Sequence, residues 1–294
     1  MKNLFFLVNI AMCLIFAACS KDSTEQNAEQ ALVPVTVRVS DFAVSQGDFP
    51  ATRATAIGSY NGVKFLTLSF YKSDGTEVYK HTQNRDDAST YTTFGEFSTS
   101  LMYGNYTMVV VANGNSNAVT LTSATTATYG ENKPWDTYAA TQAVSITGND
   151  AVNLNATLDR VCAAVAVQST DVRPADVAKI RVTTTAGGRS FNPTTGLATV
   201  NDGVSVEITP TSAVGNTTYV GAYLFLTADE QTMDVTVETL DATDNVLFSK
   251  TITDVPLKRN RVTVLTGAIY SGTSVSTSGF QVNGEWLTDN NIAF

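Results

Sequence analysis

Valines at 33, 35, 37 and 39 alternate with Pro34, Thr36, Arg38 and Ser40, the period of two that a half-buried strand imposes on its side chains. Pro34 has no N–H to give to a ladder, so this strand is expected at a sheet edge. Related apolar runs recur at 63–71 and 76–80, which Ser73-Asp74-Gly75 joins as a hairpin turn. They continue at 106–112, 161–167, 180–184, 219–227, 233–240, 246–252 and 262–269. No stretch of comparable length has an apolar period of 3.6 residues. Turn clusters such as Asn192-Pro-Thr-Thr-Gly196 and Asp241-Ala-Thr-Asp-Asn245 separate the runs, and Lys and Glu are sparse among Thr, Val, Ser, Asn and Gly. The pattern predicts an all-β chain of antiparallel β-sandwich type. Only Asn115 to Ala143 lacks a clear period and reads as either a short helix or a long loop.

The strand-bearing part, about 260 residues, is large for one sandwich, and two in tandem are expected. Thr147-Gly-Asn-Asp150 closes one set of strands before 152–167 opens another, which places the boundary near Asp159. The expected units are 32–158 and 159–294, the second ending in a tail over 271–294. No fixed-period repeat is visible.

The N-terminus has a different grammar. Lys2 is followed by Leu4 to Phe16 with only Asn9 polar, then by Ala17-Ala18 and Cys19. This is the three-part layout of a secretory signal over residues 1–18, too short for the ~20 residues of a membrane span. The small pair before the cysteine resembles a bacterial lipobox, with Phe16 where Leu is more usual. Cys19 is therefore the expected mature and lipidated N-terminus, the alternative being a free thiol in an ordinary signal. Acyl chains contribute ~0.8 kcal/mol per buried methylene, so two or three hold a folded protein on a bilayer. Residues 19–31 are polar and read as a tether. Of the chain's 3 cysteines, Cys13 leaves with the signal and Cys19 is acylated. Cys162 then remains alone between Val161 and Ala163, expected as a small buried side chain with no disulfide partner.

Removing the signal leaves 17 basic against 27 acidic side chains, which disfavours nucleic acid and anionic surfaces as partners. His81 is the single histidine and is expected as an exposed polar residue at the end of a hairpin strand, which leaves no multi-histidine metal site and no placed base for a catalytic triad. Asp86-Asp87, Asp229-Glu230 and Asp241/Asp244 sit in turn-like surroundings without calcium-loop spacing, and Gly187-Gly188 lacks the pattern of a phosphate loop. No catalytic residue, metal or cofactor is expected, and function is expected in binding or assembly rather than in an enzyme. Trp135 and Trp286 are candidate stacking platforms for sugars, or else anchors for a loop and for a C-terminal strand.

Several segments together resemble the fimbrillin superfamily, the lipoprotein precursors of type V pili in Bacteroidota. They are the lipobox with Cys19-Ser-Lys-Asp22, ATRAT at 51–55, YGNYTMVVVANG at 103–114, LDRVCAAVAV at 158–167 and VPLKRNRVTVLTG at 255–267. The resemblance spans nearly the whole chain, through loose motifs without catalytic content. It implies two transthyretin-like sandwiches and a subunit whose first strand is removed by an arginine-specific protease. A strand from a neighbouring subunit then fills the groove, which is β-strand addition used as a polymerisation bond.

On this chain the candidate removable strand carries Val33, Val35, Val37 and Val39, and the candidate cleavage lies between Arg53 and Ala54 in a segment of small residues. The candidate donor tail carries Phe280, Val282, Trp286, Leu287, Ile292 and Phe294, and is either donated or folded back on its own sheet. The resemblance implies an outer-membrane lipoprotein at the cell surface, serving as shaft, tip or anchor of a fimbria and supporting adhesion. Its partners would be other pilus subunits and host or bacterial surface ligands. The alternative is a glycan-binding surface lipoprotein of a polysaccharide-uptake system.

Overall fold

The computed structural model describes residues 32–42, 57, 60–114, 118–130, 133–271 and 281–283. Among them there is no α-helix, and the chain folds as a β-sandwich protein. The strands of its first part are β1 (Val33–Phe42), β2 (Phe65–Lys72), β3 (Glu77–Asn84), β4 (Glu96–Leu101), β5 (Gly104–Asn113), β6 (Thr120–Ser123), β7 (Thr126–Thr128), β8 (Thr137–Ile146) and β9 (Val152–Arg160). Those that follow are β10 (Ala163–Ser169), β11 (Lys179–Thr184), β12 (Ser190–Phe191), β13 (Ser205–Ile208), β14 (Tyr219–Leu224), β15 (Glu230–Leu240), β16 (Val246–Lys258), β17 (Val262–Gly267) and β18 (Gln281–Asn283).

Strand order repeats although no sequence repeat is visible. The first half runs β3-β2-β5-β8 and β9-β1-β4, and the second runs β13-β11-β15-β16 and β14-β10-β17. Pairing sense repeats too: β1 is antiparallel to β4 and parallel to β9, as β10 is antiparallel to β14 and parallel to β17. In the first half, two residue pairs, Tyr138↔Arg160 and Ala139↔Asp159, join the layers into one seven-stranded sheet. In the second half the layers stay separate, and β18 adds antiparallel to the outer edge of β17.

Each half encloses its own apolar cluster. The first gathers Val33, Val35, Val37 and Val39 with Leu66, Leu68, Phe70, Met108 and Val110. The second gathers Val165, Val167, Ile180, Val182, Val235, Val237 and Leu265. A third cluster lies between the halves, where Tyr71, Val109 and Val111 meet Ala164, Ala166, Tyr223 and Val264. The hairpin β6–β7 pairs with β12 from the other half; the hairpin contributes Leu121 and Ala127 to this cluster, and β12 contributes Phe191. Alternate residues of β5 and β10 therefore serve two different clusters, and both faces of these strands are buried.

Two expectations are corrected. The described part of 115–143 is mostly strand rather than one long loop: Gly130 has 3-10 geometry, and β6, β7 and the start of β8 lie there. The first two are too short for a period to register, and Thr137, Tyr138 and Ala139 at the start of β8 are all buried, which erases alternation. The second correction concerns β1, which is flanked by β4 and β9 and is not an edge strand. Val39 N–H donates to the Gly95 carbonyl, so odd-numbered amides of β1 face β4 and even-numbered ones face β9. Pro34 thus turns its nitrogen toward β9, where pairing begins only at Val35↔Val152, and the missing N–H breaks no ladder bond.

Candidate functional site

β1 is held by backbone ladders on both sides and by one row of side chains. Its register with β4 runs from Val33↔Leu101 to Arg38↔Glu96, and with β9 from Val35↔Val152 to Phe42↔Leu158. Val33, Val35, Val37 and Val39 are each at most 3% exposed and point into the first cluster. At about 1.5–3 kcal/mol per side chain, their burial stabilises β1 by roughly 6–12 kcal/mol. The opposite face is wet: Thr36 is half-buried, and Arg38 is exposed with its Nε 3.1 Å from Glu96 Oε1. An ion pair this exposed adds little.

Arg53 and Ala54 lie outside the described residues, but the chain resumes close by at Ile57, which is buried in the first cluster. The Arg85 guanidinium donates to the carbonyls of Ile57 at 2.7 Å, Tyr60 at 3.1 Å and Val63 at 2.7 Å. It lies 4.0 Å over the Phe94 ring, so its flat face is covered by apolar carbon while its edge gathers backbone oxygens. Next to it, buried Gln83 accepts from Gly95 N–H at 2.8 Å and donates to the Glu96 carbonyl at 2.7 Å, which fixes the start of β4. Gly95 has φ +97°, and a Cβ there would lie 2.6 Å from Ile57 Cγ2, so only glycine lets the returning chain pack this close.

Where β8 and β9 meet, a buried polar network ties the halves together. Arg160 makes two bonds to Asp136, Nε to Oδ1 at 2.8 Å and Nη2 to Oδ2 at 3.1 Å, and lies 4.9 Å over the Tyr138 ring while also bonding its hydroxyl. Burial pulls the Arg160 pKa down, but Asp136 outweighs it and holds the group above its ordinary value, so the guanidinium stays charged. Cys162 is fully buried with its Sγ 3.6 Å from Asp136 Oδ1, and burial, then the Asp136 charge, push its pKa far up. The thiol is a packed side chain and not a nucleophile.

Of the candidate tail, Val282 lies in β18, opposite Leu265 of β17. Phe280, Trp286, Leu287, Ile292 and Phe294 are outside the described residues, as is Cys19. The base of the tail is fixed by Asp171, which accepts from the amides of Ile269, Tyr270 and Ser271 at 3.0, 2.8 and 2.8 Å and from Ser271 Oγ at 3.0 Å. Burial raises the Asp171 pKa, but these bonds prevail and hold it below its usual range.

His81 and Trp135 are held by neighbouring groups. His81 is exposed, bonded through Nε2 to the Thr90 carbonyl at 2.7 Å and edge-on to Phe97. Trp135 is half-buried, 6.4 Å from Tyr223 between ring centroids, with Lys133 above it, and it anchors its loop; Trp286 is outside the described residues. Among the described residues no three His, Cys, Asp or Glu side chains group to hold a metal ion. A cleft of about 260 Å³ opens between the halves, lined by Thr141, Thr157, Asp159, Thr194, Thr195 and Arg259 among others. Arg259 there is engaged by Asp229 at 2.7 Å and by the Thr195 carbonyl at 2.7 Å. Sequence reasoning missed Arg85, Asp136, Arg160 and Asp171; the one hint was charge set against apolar runs, as in LDRVC.

Residues 30–289 match a family described as a family of unknown function (DUF6562), and the chain belongs to that family. No curated protein matches it. Among solved structures it is similar to a candidate adhesin from Bacteroides ovatus, with 11% identity and a TM-score of 0.50 over 88% of this chain and 96% of that one. A candidate polysaccharide binding protein (DUF1812) from Bacteroides thetaiotaomicron has 11% identity and a TM-score of 0.50, over 80% and 91% of the two chains. The fimbrial anchor protein Mfa2 from Porphyromonas gingivalis has 13% identity and a TM-score of 0.49, over 86% and 98%. The two matches at 0.50 show a shared fold.

Proposed function

We propose that this DUF6562 protein is a structural subunit of a cell-surface fimbria, carried to the outer membrane as a lipoprotein on Cys19 and assembled by strand exchange. The observation that carries this reading is the setting of β1. It is the first strand among the described residues, its residues 33–39 are buried on one face only, and it precedes the single arginine of the 43–56 segment. Cleavage after Arg53 would leave β1 attached to the body by non-covalent contacts alone.

A groove vacated by β1 would expose the apolar side chains it covers and the facing ladder groups of β4 and β9. Unpaired backbone groups in an apolar groove are costly, so the groove selects for another strand of the same alternation. The tail has one: Phe280, Val282, Gly284 and Trp286 alternate with Gln281, Asn283 and Glu285, as the valines of β1 alternate with Pro34, Thr36 and Arg38. In this reading β18 is the resting position of a strand that a neighbour takes up. The fold shared with an adhesin candidate agrees with a surface role supporting adhesion, whether as shaft, tip or anchor. Partners are then other subunits and, at an exposed end, surface ligands.

Treating the folded protein with an arginine-specific protease should give a product beginning at Ala54 together with higher oligomers, read by mass spectrometry and size exclusion. A complete cut whose product stays monomeric would refute assembly by exchange.

A further inference from the structure

We infer that Arg85 and Asp171 are paired anchoring residues that mark where the exchangeable ends of the chain stop and the permanent body begins. The inference rests on the strand-exchange reading for its biological meaning, but its geometry stands apart from it. If β1 leaves, or the tail is drawn into a neighbour, the disturbance passes along the chain toward β2 at one end and β17 at the other. Some contact must stop it before it reaches the first and second clusters.

The two residues are placed as such stops, with opposite charge and opposite backbone partners. Arg85, a cation, collects three carbonyl oxygens spaced three residues apart, at 57, 60 and 63. The same stretch is tied again where Arg85 N–H donates to the Lys64 carbonyl at 2.8 Å and Lys64 N–H to the Asn113 carbonyl at 2.9 Å. Asp171, an anion, collects three successive amides at 269–271. Next to it, Thr170 N–H donates to the Gly267 carbonyl at 2.9 Å, which holds the end of β17 from the neighbouring position. Both sets use charge-assisted bonds, which are stronger than neutral ones and directional. Arg85 is further seated by the Phe94 ring and by Tyr91 Oη, which donates to its carbonyl at 3.1 Å. Everything assigned to exchange, residues 33–42 and 280–294, lies outside the interval these anchors enclose. Everything in the second cluster, and all of the first except the valines of β1, lies within it.

The test is graded digestion of the full chain with a protease of broad specificity, followed by intact-mass analysis of the surviving core. Arg85→Met and Arg85→Lys should each move the N-terminal limit of the core inward past Val63, with trimming there at least tenfold faster, and leave the C-terminal limit in place. Lysine keeps the charge but has no planar fork to reach three carbonyls. Asp171→Asn should move the C-terminal limit inward past Ile269 and leave the N-terminal limit alone. Limits that stay put, or that move together in any one variant, overturn the inference, the latter because it reports general loosening. If the Arg85 variants do not fold, Phe94→Leu removes the ring beneath the guanidinium and is read in the same way. A single chain suffices, so anchors that behave as described in a protein that never assembles would reject the fibre and keep the anchors.

Discussion

β1 and β10 occupy the same position in the two halves, with the same neighbours in the same senses, yet they are held differently. β10 is buried on both faces: Ala163, Val165 and Val167 lie in the second cluster, and Ala164 and Ala166 in the cluster between the halves. β1 buries only its valines and turns Thr36 and Arg38 to solvent. On the proposed function, a strand packed on one side is the one open to replacement by another of matching alternation. A strand packed on two sides, joined to β9 through Val161 and Cys162, is part of the frame. One topology used twice thus gives one strand packed on a single face and one packed on both, and side-chain pattern makes the difference.

The same substitution in each strand should separate them. Val165→Asp places a charge in the second cluster with no partner and should abolish a soluble folded protein, the largest effect expected. Val37→Asp is just as buried but should loosen residues 33–42 and their ladders to β4 and β9 while the second half stays folded, as read by amide exchange along the chain. Global unfolding by Val37→Asp would erase the contrast. At the small end, Arg38→Ala on the solvent face of β1 should change stability by less than about 0.5 kcal/mol in chemical denaturation, because its ion pair with Glu96 is exposed.

The contrast between β1 and β10 was readable in the sequence as alternation in one and an unbroken apolar run, AAVAV, in the other. Their shared position was not readable, because the repeat conserves strand order and pairing sense and not residues. β4, EFSTSL, carries only Phe97 and Leu101 as apolar signal, so the partner that makes β1 an interior strand left no trace of its own. The Asp136–Arg160 pair joins residues far apart in sequence and becomes visible only when Tyr138 is set opposite Arg160. Arg85 stands beside Asp86-Asp87 in what reads as a charged surface turn; its role depends on the chain returning at Ile57 beneath it. Pro34 misled because the edge rule assumes a ladder on both sides of the residue, and here one ladder starts a residue later.

On the proposed strand exchange, β1 is lost and replaced when the protein assembles. Intact-mass analysis of the protein recovered from cell-surface fibres tests it most directly. Subunits are expected to begin at Ala54, with no fragment containing Val33 to Phe42 retained; fibre subunits that still carry β1, covalently or as a bound fragment, would rule the exchange out.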